Sequence, residues 1–321
     1  MKLAKVFGKS EDREPRHLQT IESVPVAFAR EAFFRYLFPK NTEKDLTVPQ
    51  RLVIDVTLQS LQKAEARQKA VPRLPQVIPR LLQSLRDPDS STADYVAIIN
   101  KDPVMAAAVF KLANSVYFNP VGRRIQELEE AIVKLGINGL RSVLSAAVMQ
   151  PILQKESAYF SRTGQRIWQH SLCCAVCCEH IAAKYNIERF KVYLLGLMHD
   201  IGSITVFSEL SRQFKINKEE VEPGHNAFVP SMKKLATILS YSIAKDWDLP
   251  KEICQALLDQ VQAKKEAEMS EFGYILYHAN LVAETYAAIY PKNPARALAL
   301  LQELGLPDKL YQTLDQLSRE L

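Results

Sequence analysis

A chain of 321 residues with 47% hydrophobic content is long enough to bury a sizeable core, and its length suits two or three compact units. Its net charge of +5 reflects 41 basic against 36 acidic residues. The pairs Arg123-Arg124 and Lys264-Lys265 have acidic residues within a few positions and Lys233-Lys234 stands alone in an apolar stretch, so no continuous basic stripe argues for a nucleic-acid surface. No window reaches the roughly 20 apolar residues of a transmembrane helix, and the first residues, "MKLAKVFGKSEDREPRH", lack the apolar run of a signal peptide. A cytoplasmic location without membrane contact is therefore expected, and reduced cysteines with it.

Taken in chain order, residues 1–20 are polar, and 21–70 hold two helices. The first of these helices is rich in aromatics ("VAFAREAFFRYLFP"). Thr47-x-x-Gln50 with Pro49 predicts a capping box at the start of the second. Pro72 and Pro75 mark a boundary, and 76–153 read as a compact helical unit. Within it, Ser91-x-x-Asp94 and Asp102-Pro103 have the form of helix starts, and Gly136 of a helix stop. "QKESAYFSRTGQR" reads as a polar bridge, 166–207 as helices, and "SELSRQFKINKEEVEPGHNAFVPS" as a long polar loop. Four or five helices follow from Met232, with a start at Asn293-Pro294 and a stop at Gly305. Strand signals are scarce, and the expected fold is all-α.

Two segments carry candidate chemistry. Ile167, His170, Cys174, Cys177 and Ile181 fall on one stripe at three- and four-residue spacing, which turns His170 inward. In "GLMHDIG", His199 continues the seam Val192, Leu195, and Asp200 follows about 100° further round a helix. Gly196 allows a neighbouring helix to approach closely. Both imidazoles and the carboxylate are metal-ligand types.

Four elements in order resemble the HDOD proteins, bacterial signalling proteins related to the HD phosphohydrolases: Asp102-Pro103, "LANS" from Leu112, "AIVKLG" from Ala131, and His199-Asp200 before Gly202. The resemblance covers about 71–260, and the domain it implies spans 71–264, divided into a first helical unit at 71–153 and HD-like helices at 164–264. It implies a multi-helix HD-like bundle, with residues 1–70 as an additional N-terminal helical subdomain and 265–321 as helices packing on the core. HD enzymes hold their first ion with a histidine, an adjacent His-Asp pair and a distant aspartate. His170, His199 and Asp200 match the first three, and the resemblance places Asn280 at the fourth. A neutral amide there removes one negative charge and weakens the site. The resemblance places Ala236 and Asp259-Gln260 where catalytic relatives carry second-ion histidines.

Three readings of His170, His199 and Asp200 stay open. A packed, mutually hydrogen-bonded polar cluster is favoured over one weakly held metal and over a working hydrolase. The cofactor expectation is accordingly none or one weakly bound divalent ion. Cys174-x-x-Cys177 reads as core packing, because it lies inside a predicted helix and no second CxxC exists. Asn114 and Ser115 read as a capping turn. Phe28, Phe33, Phe34, Tyr36, Leu37 and Phe38 read as a helix packed on the main domain rather than one docking a partner or second copy. The functional expectation is a non-catalytic signalling protein working through protein partners, with homo-oligomer formation left open. The alternative is a metal-dependent phosphohydrolase acting on a nucleotide or cyclic dinucleotide. A nucleic-acid-binding regulator is a remote third.

Overall fold

The computed structural model describes residues 24–38, 45–71, 78–79, 103–153, 158–185, 187–217 and 224–320, together with 93, 96 and 99. The caps expected at Ser91–Asp94 and Asp102, the prolines at 72 and 75, and residues 1–20 lie outside them. The described residues form helices α1 (Val26–Leu37), α2 (Val48–Gln62), α3 (Ala64–Ala70), α4 (Pro103–Ala113), α5 (Leu128–Leu153), α6 (Ala158–Ala182), α7 (Arg189–Met198), α8 (Ile201–Ile216), α9 (His225–Asp246), α10 (Lys251–Val261), α11 (Glu271–Ala288), α12 (Pro294–Glu303) and α13 (Leu310–Glu320). No strand occurs among them.

Local chemistry sets the ends. The Thr47–Gln50 capping box forms in both directions, with bonds of 3.3 Å and 3.0 Å. Asn293 Oδ1 accepts the Arg296 amide at 3.1 Å ahead of α12. Gly136 adopts φ +64° and breaks α5, and Gly305 at φ +59° follows α12. Asn114 closes α4 by donating to Phe110 O and Ile125 O and accepting from Ile125 N. The capping reading of "LANS" therefore describes what these side chains do.

Two boundaries differ from the sequence reading. Residues 158–166, read as a bridge, belong to α6. The segment 208–231, read as a loop, is mostly helix, because α8 runs to Ile216 and α9 begins at His225. Leu210 and Phe214 are buried four residues apart on α8, and Ala227, Phe228 and Val229 are buried at the start of α9 behind the polar His225 and Asn226. Few apolar positions near a helix end look like a loop until packing shows which face is covered.

The bundle centres on α6, α7 and α11. α7 and α11 both pack on α6, α8 packs on α9, and α4 and α5 form a pair against α7. α1 lies across α11, with Phe33, Phe34, Leu37 and Phe38 buried and Phe28 half exposed. The N-terminal aromatics thus pack within the chain. The apolar stretch Arg189–Ile216 is largely buried inside the bundle and is interrupted at His199-Asp200.

Close approach is decisive at Gly202. A Cβ there would lie 1.9 Å from Ala236 O and 2.7 Å from Ser240 N. Gly196 plays the expected part against α6, where a Cβ would come within 2.6 Å of Ala175 Cα. Gly202→Ala should cost about 3 kcal/mol, at the upper end of overpacking effects. Denaturant unfolding of the variant measures this, and a loss below about 1 kcal/mol would show that α8 and α9 separate easily.

Candidate metal centre

His199 and Asp200 occupy the tight turn between α7 and α8, not the body of a helix as the spacing predicts. His199 caps α7, and Asp200 precedes α8. Ser240 of α9 pins the turn: its hydroxyl donates to His199 O at 2.6 Å and accepts Gly202 N at 3.0 Å. His170 enters from α6 and Asn280 from α11. All four predicted residues meet.

Asn280 Oδ1 lies 3.0 Å from His170 Nε2 and 3.2 Å from His199 Nε2. Asp200 Oδ2 lies 3.4 Å from the first nitrogen and 3.5 Å from the second. Ligands about 2.1 Å from a tetrahedral or octahedral ion stand about 3.0–3.4 Å from their neighbours. These four separations are therefore close to those of a coordination shell, and the His170, His199 and Asp200 ligand atoms all lie within 4.8 Å of one another. His199 Nδ1 lies 2.8 Å from Gly196 O. A carbonyl only accepts, so Nδ1 carries a proton and the Nε2 of neutral His199 presents a lone pair. That lone pair faces two oxygens, an arrangement relieved by a second proton or by a cation between them. The residues fit a divalent ion, and the same atoms form the hydrogen-bonded cluster without one.

Burial pulls the His170 imidazolium down to about 4, with Asp200 opposing only in part. Burial pushes the Asp200 carboxyl up, but His199, His170, the Ser203 hydroxyl and Arg30 outweigh it and hold the carboxyl below its usual range.

Three further residues belong to the site that the sequence reading did not assign to it. Phe33 packs on the His170 ring at 4.3 Å between centroids. Glu284 Oε1 accepts Asn280 Nδ2 at 3.1 Å, and Arg30 Nε meets the same oxygen at 2.6 Å. Glu284 follows Asn280 by four residues and shares its helix face, a signal present in the sequence. Arg30 stands three residues before Phe33, but nothing local says which helix α1 covers.

A cavity of about 410 Å³ opens beside the centre, its wall including Arg30, Ser203, Lys233, Gln260, Lys264 and Tyr277. The Asp259-Gln260 pair serves packing. Asp259 is fully buried and accepts from Ser270 N, Ser270 Oγ, Lys264 and Gln255 at 2.6–2.9 Å. Gln260 donates to Gly273 O at 3.0 Å. Ala236 abuts Gly202. Among the described residues, His170, His199 and Asp200 make the one cluster of three metal-ligating side chains. The four cysteines of α6 are buried and free, and burial raises the Cys173, Cys174 and Cys177 thiols.

An all-helical bundle closing on a histidine–aspartate turn defines an HD-like protein. The HDOD domain family matches residues 71–263, more than half of the chain, and the chain belongs to that family. An uncharacterized protein of Treponema pallidum (strain Nichols) is 23% identical over 231 residues, 67% of this chain and 43% of the relative. This chain thus spans less than half of that relative's length. An HDOD domain protein of unknown function from Geobacter sulfurreducens superposes with a TM-score of 0.57 at 19% identity, covering 84% of this chain and 99% of its own. A Shewanella amazonensis SB2B protein provisionally named a metal-dependent phosphohydrolase superposes with a TM-score of 0.59 at 17% identity, covering 85% and 99%. These likenesses establish the fold.

Folded His170 resists protonation down to about 4, whereas its ordinary value is 6.5. Between these values the unfolded chain binds more protons, so folding stability falls as pH falls from about 6.5 to about 4. The loss attributable to His170 is about 3 kcal/mol, complete near pH 4. Asp200 titrates below its unfolded value and adds its own loss only beneath about pH 4. Urea unfolding with a chelator present should show this slope, and it should flatten in His170→Gln.

Proposed function

We propose that the protein is a non-catalytic HDOD signalling component that acts through protein–protein contacts and holds one divalent cation weakly at His170, His199, Asp200 and Asn280. The observation that carries this reading is the commitment of Asp259 and Gln260 to helix packing, beside an amide at position 280. A first ion would have two neutral imidazoles, one carboxylate and one amide oxygen, a ligand set poor in negative charge. When bound, such an ion supplies positive charge and, given an open position, a more acidic bound water. Asp200 keeps 21% of its side chain accessible, at the cavity. On the outer surface, Val48, Leu52 and Val56 stand exposed at four-residue spacing along α2, apolar surface of the kind protein contacts cover.

A second reading, a metal-dependent phosphohydrolase acting on a nucleotide or cyclic dinucleotide, draws on the cavity. Arg30, Lys233 and Lys264 bring positive charge to its wall. Each is already paired, with Glu284, Glu31 and Asp259, which leaves less charge for an incoming phosphate.

The purified protein should not hydrolyse cyclic dinucleotides, guanosine polyphosphates or generic phosphodiesters with Mg, Mn, Ni or Fe(II) present. Turnover that follows added metal and disappears in both His199→Ala and Asp200→Ala, with each variant folded, would overturn the non-catalytic reading. Co(II) should bind to the wild type and bind about 10-fold or more weakly to His199→Ala, as judged by visible absorption titration.

A further inference from the structure

We propose that helix α1 is a clamp on the candidate metal centre: Arg30, acting through Glu284, holds the Asn280 amide with its oxygen toward His170 and His199. The proposal rests on the reading of these residues as a metal site and assigns that site a regulator inside the chain. Arg30, Asn280 and Glu284 all lie outside the segment 71–263 that matches the HDOD family.

Which end of the amide faces the histidines decides whether Asn280 can ligate. His199 Nδ1 carries the proton given to Gly196 O, so the Nε2 lone pair by itself would prefer an N–H donor from Asn280. That orientation would aim the amide nitrogen, which cannot ligate, at the centre. Instead Oδ1 faces both histidines, and Nδ2 faces Glu284 Oε1 at 3.1 Å. A carboxylate oxygen only accepts, so Glu284 favours this choice, as does an Nε2–H on His170, whose Nδ1 has no hydrogen-bond partner. Glu284 is 2% exposed, and a buried carboxylate needs a partner to stay in place. Arg30 is that partner, at 2.6 Å to the same oxygen. Its own charge repels a nearby cation, and the adjacent Glu284 carboxylate offsets that repulsion.

α1 is held to this task from two sides. Phe33, three residues after Arg30 and therefore on the same face, packs on the His170 ring at 4.3 Å. Phe33 and Leu37 are buried against the bundle. Phe28, five residues before Phe33, stays half exposed with Arg296 over its ring at 4.8 Å. Arg30 itself keeps 45% of its side chain accessible. A contact that lifts α1 would therefore release Glu284 and the amide together, and metal affinity would follow the position of α1.

The test uses the full chain and Co(II) as probe, followed by its visible absorption. Arg30→Met and Glu284→Leu should each weaken binding about 10–100-fold, the usual effect of losing an outer-sphere partner. The double variant should be no weaker than either single variant, because both interrupt one path. Arg30→Lys should restore most of the affinity. In metal-free protein, the Asn280 side-chain amide resonances, assigned by their loss in Asn280→Asp, should move in Arg30→Met. Equal Co(II) affinity and spectra in wild type and Arg30→Met, with the fold intact by circular dichroism, would overturn the clamp. If the wild type binds no Co(II), the metal reading fails, and the amide resonances alone judge the clamp: unmoved peaks sink it, and shifted peaks retain it as the device that orients the polar cluster.

Discussion

The turn between α7 and α8 is the constraint from which the centre follows. Ser240 spans it, donating to His199 O and accepting Gly202 N. That bridge is possible only because Gly202 has no side chain, since α9 passes where a Cβ would be. Six residues earlier, Gly196 likewise brings α7 close to α6, where a Cβ would lie 2.6 Å from Ala175 Cα. The two contacts fix both flanks of the turn, and His199 and Asp200 are left with little choice of direction. The His170 ring, carried by α6, is thereby held 5.3 Å from the His199 ring.

Around this turn the polar groups are linked in series, with His170 Nδ1 and Glu284 Oε2 left buried and without a hydrogen bond. The histidines face Asn280 Oδ1, Asn280 Nδ2 faces Glu284, and Glu284 faces Arg30. Each group limits the orientation of the next, so the arrangement is directional from the accessible guanidinium to the buried imidazole. Such series are worth more than separate pairs when complete, and costly when one member is lost. The same geometry suits a cation and a metal-free cluster, which is why the site can persist as part of the fold without chemistry.

The four cysteines of α6 illustrate how environment overrides residue type. Beside His170 they offer ligand atoms, yet burial holds Cys173, Cys174 and Cys177 as thiols, and thiols pack as small apolar groups. Glu179, one residue beyond them, is treated differently. Burial raises its carboxyl, and the Tyr117 hydroxyl donates to it. This contact joins the loop after α4 to the HD-like helices. Polar groups on α6 thus divide between the centre and the seam with the first helical unit.

What the sequence determined by itself is local. The stripe Ile167, His170, Cys174, Cys177, Ile181 is buried as its spacing requires, the Thr47 and Asn293 caps form, and Gly136 and Gly305 end helices. These depend on neighbours within a turn or two. The loop reading of 208–231 failed where local signals are weakest, at helix ends with few apolar positions. Asn280 was placed by family resemblance alone, because it meets His170 across 110 residues. Glu284 was legible as its partner on the same helix face, but Arg30 and Phe33 were not. Which face of α11 the helix α1 covers depends on how the whole bundle closes. No spacing along either helix encodes that, since it arises from the shapes that all the packed helices present together.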